Sequence, residues 1–129
     1  MDAHTRTIIA AAAFAYVTGR KVAGLYDHAA GRDVPIAAEV RGAQLQGFDG
    51  DRGVRFGGAL PELHDAGDQS YVSIAMEGTQ IHGFDRRTAS HYRAEVRDGL
   101  VQIFDHAEQA WFSYDIQDAE AAQAYHRGA

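Results

Sequence analysis

The chain has 129 residues, no cysteine and a formal net charge of −6, from 12 basic and 18 acidic residues. This length fits one domain (1–129) with an ordinary hydrophobic core, and the lack of cysteine excludes disulfides, thiolate metal ligands and a catalytic thiol. Lys21 is the only lysine. An acidic, lysine-poor surface disfavours contact with phosphate backbones, so we expect no nucleic-acid partner.

An alanine-rich stretch near the N-terminus predicts a helix over residues 5–18, with Thr5 as its N-cap and Gly19 just past its end. The stretch also resembles the apolar part of a signal peptide, but it is too short for a transmembrane segment. We expect the helix to belong to the fold and the protein to be cytoplasmic. The alternative is a periplasmic protein in which residues 1–15 act as a signal peptide.

From Lys21 onward the apolar period changes to two, and one pattern occurs five times. Each unit has an apolar or aromatic residue, an Asp, four turn-like residues and an apolar or aromatic residue seven places after the Asp. The five acids are Asp27, Asp49, Asp65, Asp85 and Asp105. The repeat predicts five β-hairpins over residues 21–116, in which each Asp ends a strand and caps the following turn.

The turns set the register of each hairpin, because the residue two before the Asp then pairs with the residue seven after it. These predicted pairs are Leu25/Val34, Gly47/Phe56, Leu63/Val72, Gly83/Tyr92 and Ile103/Phe112. Apolar residues face apolar residues, and each glycine faces an aromatic ring that can cover it. The next residues along the same face include Ala23, and the face ends at Ala38, Leu60, Met76, Val96 and Ile116. We expect this face to form the core.

We therefore expect ten short antiparallel strands in up-and-down order after the helix. The predicted fold class is all-β with one N-terminal helix. A meander of this kind avoids exposed edges most simply by closing into a barrel or a strongly curled sheet. The helix either fills the interior or covers an open side, and the sequence leaves both open. We expect residues 117–129 to form a short helix or a tail.

The opposite face has a row of rings next to the Asp-capped turns and polar groups beyond it. The row provides the candidate binding residues, which are Tyr26, Phe48, His64, Tyr71, Phe84, His91, Phe104 and Trp111. Neighbouring rings that brace one another as cross-strand pairs would explain the row without any function. The functional alternatives are self-association and the binding of a sugar or another ligand.

Metal binding has weak support in this sequence. Asp49 with Asp51, or Asp65 with Asp68, would offer carboxylates to Ca²⁺, but the EF-hand spacing is absent, so we expect these acids to cap turns. Histidines 64, 82 and 91 share one face without the spacing of a known metal motif. We therefore expect neither a metal nor a cofactor.

Catalysis has little support either, because no nucleophile motif and no phosphate-binding loop is present. The acid–base candidates are His82 with Glu62, and Tyr71 with His64. We favour a small non-enzymatic binding or structural domain that self-associates through its aromatic face. The alternatives are a carrier of a small apolar ligand in the barrel lumen and a hydrolase-like enzyme that uses His and Glu.

The hairpin units resemble small uncharacterised bacterial proteins with several (G/L)-(Y/F)-D hairpins after a short helix. The matching segments are Gly24-Leu25-Tyr26-Asp27, Gln46-Gly47-Phe48-Asp49, His82-Gly83-Phe84-Asp85 and Ile103-Phe104-Asp105. The third unit departs from the pattern, because it has His64 where the others have Tyr or Phe. The resemblance implies a hairpin-repeat fold and carries over no activity and no functional residue.

Overall fold

The structure, a computed structural model, describes residues 1–119 as one helix and twelve strand segments. The elements are α1 (Ala3–Thr18), β1 (Val22–Asp27), β2 (Arg32–Val34), β3 (Ile36–Arg41), β4 (Gln44–Asp49), β5 (Val54–Ala59), β6 (Glu62–Asp65), β7 (Ser70–Ser73), β8 (Ala75–Glu77), β9 (Gln80–Asp85), β10 (Ser90–Arg97), β11 (Leu100–Asp105) and β12 (Ala110–Asp118). β2 and β3 are one strand interrupted at Pro35, and β7 and β8 are one strand interrupted at Ile74.

The strands form a closed antiparallel barrel of ten strands, as the sequence predicts. Neighbours along the chain pair with one another, and β1 also pairs with the last strand, where Leu25 lies opposite Ile116. β9 pairs with both β7 and β10, so the ladder returns to its start. Closure gives most strands two partners, which removes the exposed edges of an open meander.

All five predicted hairpin registers are confirmed, since each predicted pair is found in the ladder. The rings also cover the two glycines. A Cβ on Gly47 would lie 2.2 Å from the ring of Phe56, which fills the space of the missing side chain. One on Gly83 would lie 1.8 Å from the carbonyl oxygen of Ser73 and 2.7 Å from the hydroxyl of Tyr92, so both the backbone and the opposite aromatic residue require glycine there.

The five hairpin turns share one backbone conformation. The fourth residue after each Asp has a positive φ of 51–66°, and these residues are Gly31, Gly53, Gln69, Ala89 and Gln109. Each of the five Asp is buried and accepts at least one hydrogen bond from a backbone N–H of its turn. The predicted capping role is confirmed. The five carboxylates mark one end of the barrel, which we call the Asp rim.

The helix lies inside the barrel. Residues 7–15 are each at most 5% exposed, and nine residues make more than two turns, so every side of the helix is covered. At the Asp rim, Nη1 of Arg6 is 3.1 Å from Oδ2 of Asp105. At the other end Gly19 has a φ of 70° and donates its N–H to the carbonyl of Ala15, as its predicted position requires.

The predicted N-cap of the helix is wrong. The helix begins at Ala3 instead of residue 5, and the carbonyl of Asp2 accepts the first helical hydrogen bond, from the N–H of Arg6. Thr5 is buried within the first turns. The N-cap position is occupied by Asp2, whose backbone is extended, so the helix starts nearer the Asp rim than predicted and Thr5 lies inside it.

Two core predictions are also wrong. Ala23 is exposed and Val22 is buried, because the pairing of β1 with β12 shifts between Val22 and Leu25 at a bulge that includes Gly24, whose φ is 144°. One extra residue reverses which side chains point inward. Met76 is 43% exposed, because β8 pairs with β9 alone and no strand covers its other side.

The end of the last strand differs from the predicted boundary. β12 extends to Asp118, two residues beyond 116, and the N–H of Ala119 donates to the carbonyl of Lys21. The short helix or tail predicted for 117–129 falls mostly on residues 120–129, which lie outside the described residues. Within residues 1–119, no helix combines the length and the apolar character needed to cross a membrane.

Candidate functional site

The eight candidate binding residues form a row around the outside of the barrel near the Asp rim, each on a different strand. In chain order they are Tyr26 on β1, Phe48 on β4, His64 on β6, Tyr71 on β7, Phe84 on β9, His91 on β10, Phe104 on β11 and Trp111 on β12. A row that surrounds a barrel cannot act as one site. The structure therefore divides these residues among several surfaces.

Within the row, rings pair across single hairpins. The ring centroids of His64 and Tyr71 are 4.8 Å apart, and those of Phe104 and Trp111 are 5.2 Å apart. Phe84 and His91 form a third pair at 4.6 Å. Much of the row is thus cross-strand bracing, as the sequence allowed. Four of the eight rings remain exposed, namely Phe48 at 45%, Tyr71 at 46%, Trp111 at 52% and His91.

One side of the barrel has an open depression of about 1210 Å³, which we call the outer groove. Its lining residues on the outer surface include Lys21, Ala37, Glu39, Gln46, Phe48, Arg55, Gly57, Ala59, Glu62, His64 and Tyr71. Nζ of Lys21 is 3.8 Å from Oε2 of Glu39, so these two charges pair with each other. Three of the eight candidates, Phe48, His64 and Tyr71, lie here. The other five do not line this groove.

The groove exists because its floor has almost no side chains. Gly57 lies opposite Gln46 on β4 and opposite His64 on β6, so it occupies the middle of the outer surface. A Cβ at Gly57 would lie 2.3 Å from the carbonyl oxygen of Leu45, and its φ is 153°, so only glycine fits. Ala59 adds a second small side chain on β5.

Arg55 brings a positive charge to the groove. It is exposed and lies directly opposite Phe48 in the ladder between β4 and β5. Among residues 1–119 no acidic side chain pairs with its guanidinium. This contrasts with Arg86 at the edge of the groove, whose Nη2 donates to Oε1 of Glu62 at 2.5 Å.

Glu62 carries a polar atom without a partner. Its Oε1 accepts the bond from Arg86, whereas its Oε2 is buried and receives no hydrogen bond in the described part of the chain. A buried acceptor without a donor is unfavourable by about 1–3 kcal/mol. Among residues 1–119, the groove thus has a cation without an acidic partner and an acceptor without a donor.

Sequence reasoning missed Arg55 and Gly57 and considered Glu62 only for acid–base chemistry. The predicted register already placed Arg55 opposite Phe48, which was a usable signal. What could not be read is that no acid among residues 1–119 pairs with Arg55, because that depends on where the other side chains lie in the closed barrel.

A second cluster surrounds the start of the helix at the Asp rim. Ligand atoms of Asp2, His4 and Asp68 lie within 4.8 Å of one another, and Nε2 of His4 is 2.6 Å from Oδ2 of Asp68. Arg87 contacts Asp2, and its Nε is 3.2 Å from Oδ2 of Asp68. The guanidinium supplies the positive charge that these carboxylates require, so the cluster is an ion-pair network.

The turn acids that were considered for Ca²⁺ are engaged in the same way. Nε of Arg52 is 2.7 Å from Oδ2 of Asp49, and its Nη2 is 2.9 Å from Oδ2 of Asp65. Burial alone would lower the pKa of Arg52, but the hydrogen bonds and charges of these two acids outweigh burial and raise the pKa. Arg52 stays charged and links two neighbouring turns.

The two predicted acid–base pairs differ in the structure. Glu62 lies opposite Ser73 and His82 lies opposite Ala75, and within residues 1–119 no hydrogen bond joins Glu62 to His82. The rings of His64 and Tyr71 are adjacent, with centroids 4.8 Å apart and planes inclined by 53°. His91 lies on β10 and is exposed, so histidines 64, 82 and 91 do not converge on one point.

Comparisons with protein-family models, curated proteins and solved structures find no match to this chain. The resemblance to hairpin-repeat proteins stays a prediction.

Proposed function

We propose that the chain is a small non-enzymatic binding domain and that the outer groove is its binding surface. The observation that carries this proposal is the pair of half-exposed rings, Phe48 and Tyr71, beside a floor that Gly57 keeps bare. Exposed aromatic groups near a concave surface favour a ligand, since covering one ring contributes about 1.5–3 kcal/mol when burial is complete.

Binding is better supported than catalysis or internal transport. Catalysis would need polar groups that converge on one reacting atom, and within residues 1–119 no hydrogen bond joins the groove residues Arg55 and Glu62. A lumen carrier would need an empty interior, whereas α1 occupies it. The outer groove, of about 1210 Å³, offers a concave surface for binding instead.

An NMR ligand screen tests this proposal. The ¹⁵N-labelled protein is titrated with separate sets of oligosaccharides, amino acids and short peptides, nucleotides and fatty acids. We expect at least one set to shift the backbone signals of Phe48, Gly57 and His64, because these residues surround the groove floor. Phe48→Ala should weaken that binding, whereas Trp111→Ala, which removes an equally exposed ring outside the groove, should not. The proposal fails if no compound shifts the groove signals.

Self-association is a second proposal, supported by the surface around Trp111. The guanidinium carbon of Arg93 lies 4.9 Å from the ring centroid of Phe104 and 5.4 Å from that of Trp111. The two rings therefore form an apolar patch with a cationic border. Light scattering at high concentration should show a homo-oligomer that Trp111→Ala disrupts. A wild-type monomer under these conditions would contradict this.

We also propose a cytoplasmic location and no nucleic-acid partner. The absence of cysteine and the net charge of −6 support both. Cell fractionation and a binding assay with DNA and RNA at low salt test them. Export of the tagged chain, or retention on either nucleic acid, would contradict the respective proposal.

A further inference from the structure

The ligand class can be inferred from the groove, on the premise that the proposed function is correct. Three properties carry the inference: the shape of the floor, the pairing state of the backbone beneath it, and the charge at Arg55.

The β4–β5 ladder beneath the groove offers no free edge to a peptide strand. β4 and β5 pair along their whole length, from Gln44–Ala59 to Asp49–Val54, so their N–H and C=O groups already bond each other. A peptide that binds as an added strand needs a free edge. The ligand must therefore be recognised by side chains lying on the outer surface.

Rings and polar groups alternate on that surface. Phe48 and Tyr71 are the exposed rings of the groove, and Gln46 and His64 stand beside the floor between them. Part of the Tyr71 ring is already covered, because its centroid is 4.8 Å from that of His64 and 5.5 Å from the guanidinium carbon of Arg86. An aromatic face suits one side of a sugar ring, while hydroxyl groups at the ring edge need donors and acceptors nearby. The open floor at Gly57 leaves room for an extended chain of such rings.

Arg55 decides the charge of the ligand. Its guanidinium has no acidic partner among the described residues, and a carboxylate is the group that such a planar donor binds with two parallel hydrogen bonds. The side chain of Glu62 is 40% exposed although its Oε2 is buried. A rotation would bring that oxygen to a ligand hydroxyl.

We propose that the outer groove binds an acidic oligosaccharide, with sugar rings against Phe48 and Tyr71 and a ring carboxylate on Arg55. The protein has a net charge of −6 and repels anions at long range, so recognition depends on the groove cation that lacks an acidic partner among residues 1–119, namely Arg55.

Isothermal titration calorimetry of the full chain tests the proposal with three uronic acid oligomers, made of galacturonate, glucuronate or mannuronate. The same oligomers as methyl esters, which are neutral, serve as matched ligands, and an oligoglutamate peptide serves as an acidic ligand without sugar rings. We expect one acidic oligomer to bind about tenfold more tightly than its ester, as for a lost charge-assisted hydrogen bond.

Variants then assign the contacts. Arg55→Gln should reduce the affinity for the acidic oligomer to that for its ester and leave ester binding unchanged. Arg97→Gln removes another exposed arginine, one outside the groove with no acidic partner within residues 1–119, and should change neither affinity. Phe48→Ala should weaken the binding of both ligands, because it removes the stacking surface rather than the charge.

Several results would overturn this assignment. Equal binding of acid and ester, an unchanged affinity in Arg55→Gln, or tighter binding of oligoglutamate would each contradict an acidic oligosaccharide. If no oligomer binds but another compound shifts the groove signals in the NMR screen, the ligand class is wrong and the binding function stands. If no compound shifts them, both are wrong.

Discussion

The fourth residue after each repeated Asp has a left-handed backbone in all five hairpins, yet only two of the five are glycine. For other residues this conformation is less favourable by about 1–2 kcal/mol. Ala89→Gly should therefore raise the free energy of unfolding by about 0.5–1 kcal/mol, because relief of the strain exceeds the added entropy of the unfolded chain. Urea unfolding measures it.

The reverse change is the matched control. Gly53 has a φ of 64° and no atom within 4 Å of an added Cβ, so Gly53→Ala tests the backbone alone. It should lower the free energy of unfolding by about 1 kcal/mol. If both substitutions change stability in the same direction, the shared turn geometry is not the cause.

Gly47 carries a different constraint, because the ring of Phe56 occupies the position of its missing side chain. Gly47→Ala should destabilise the protein by about 1–3 kcal/mol through overpacking. Gly99→Ala is the control, since the nearest atom to its added Cβ is the carbonyl oxygen of Ile116 at 3.7 Å. Equal effects in thermal unfolding would contradict the packing argument.

Because two tyrosines are buried, we expect the free energy of unfolding to fall at alkaline pH. Burial raises the pKa of Tyr92, with a further increase from Asp85, and burial with Asp27 raises the pKa of Tyr114. Both groups stay neutral in the folded state, so their stabilising effect is complete below the unfolded pKa of about 10 and is lost above it. Phenolate absorbance should show at least two of the six tyrosines ionising only as the protein unfolds. Reversible ionisation of all six without unfolding would contradict this.

At the scale of elements, the interior helix depends on small side chains. Residues 10–13 are all alanine and fully buried. Ala12→Leu should lower the free energy of unfolding by about 1–3 kcal/mol, because the surrounding wall leaves no space for the added atoms. Ala107→Leu, in an exposed turn, should change it little. Denaturant unfolding of both variants measures the difference, and equal stability would place the helix outside the barrel.

The hairpins could be predicted from sequence because their information is local. An Asp, a four-residue turn and a period of two together set each pair, such as Leu63 with Val72. The bulge at Gly24 could not be predicted, since it comes from pairing with β12, about 90 residues away. The helix position had one sequence signal: residues 8–15 have no polar side, which fits a helix buried all round.

The candidate site was predictable only in part, for a related reason. The alternation of the strands placed Phe48, His64 and Tyr71 on the outer face. The groove itself depends on the lack of a side chain at Gly57, and its charge depends on Arg55 having no acidic partner among residues 1–119. A sequence pattern shows which residues are present but not which of them fail to meet.

At the scale of the whole molecule, the enclosed helix should report global unfolding. Backbone N–H groups of residues 9–15 reach solvent only when the wall opens. In native-state hydrogen exchange their opening free energy should equal the free energy of unfolding, whereas N–H groups of β8, which has one neighbour, should exchange through smaller openings. Faster exchange in the helix than in β10 would contradict an enclosed position.

The barrel wall is unevenly bonded, and this bears on the groove. β5 and β6 pair only through Phe56–Asp65 and Gly57–His64, supplemented by the bond from the N–H of Ala66 to the carbonyl of Arg55. Phe48 and Arg55 lie on one side of this seam, and His64 and Tyr71 lie on the other. A ligand bound in the groove therefore contacts residues on both sides of the weakly paired β5–β6 junction. The ligand would have to dissociate before β5 and β6 could separate.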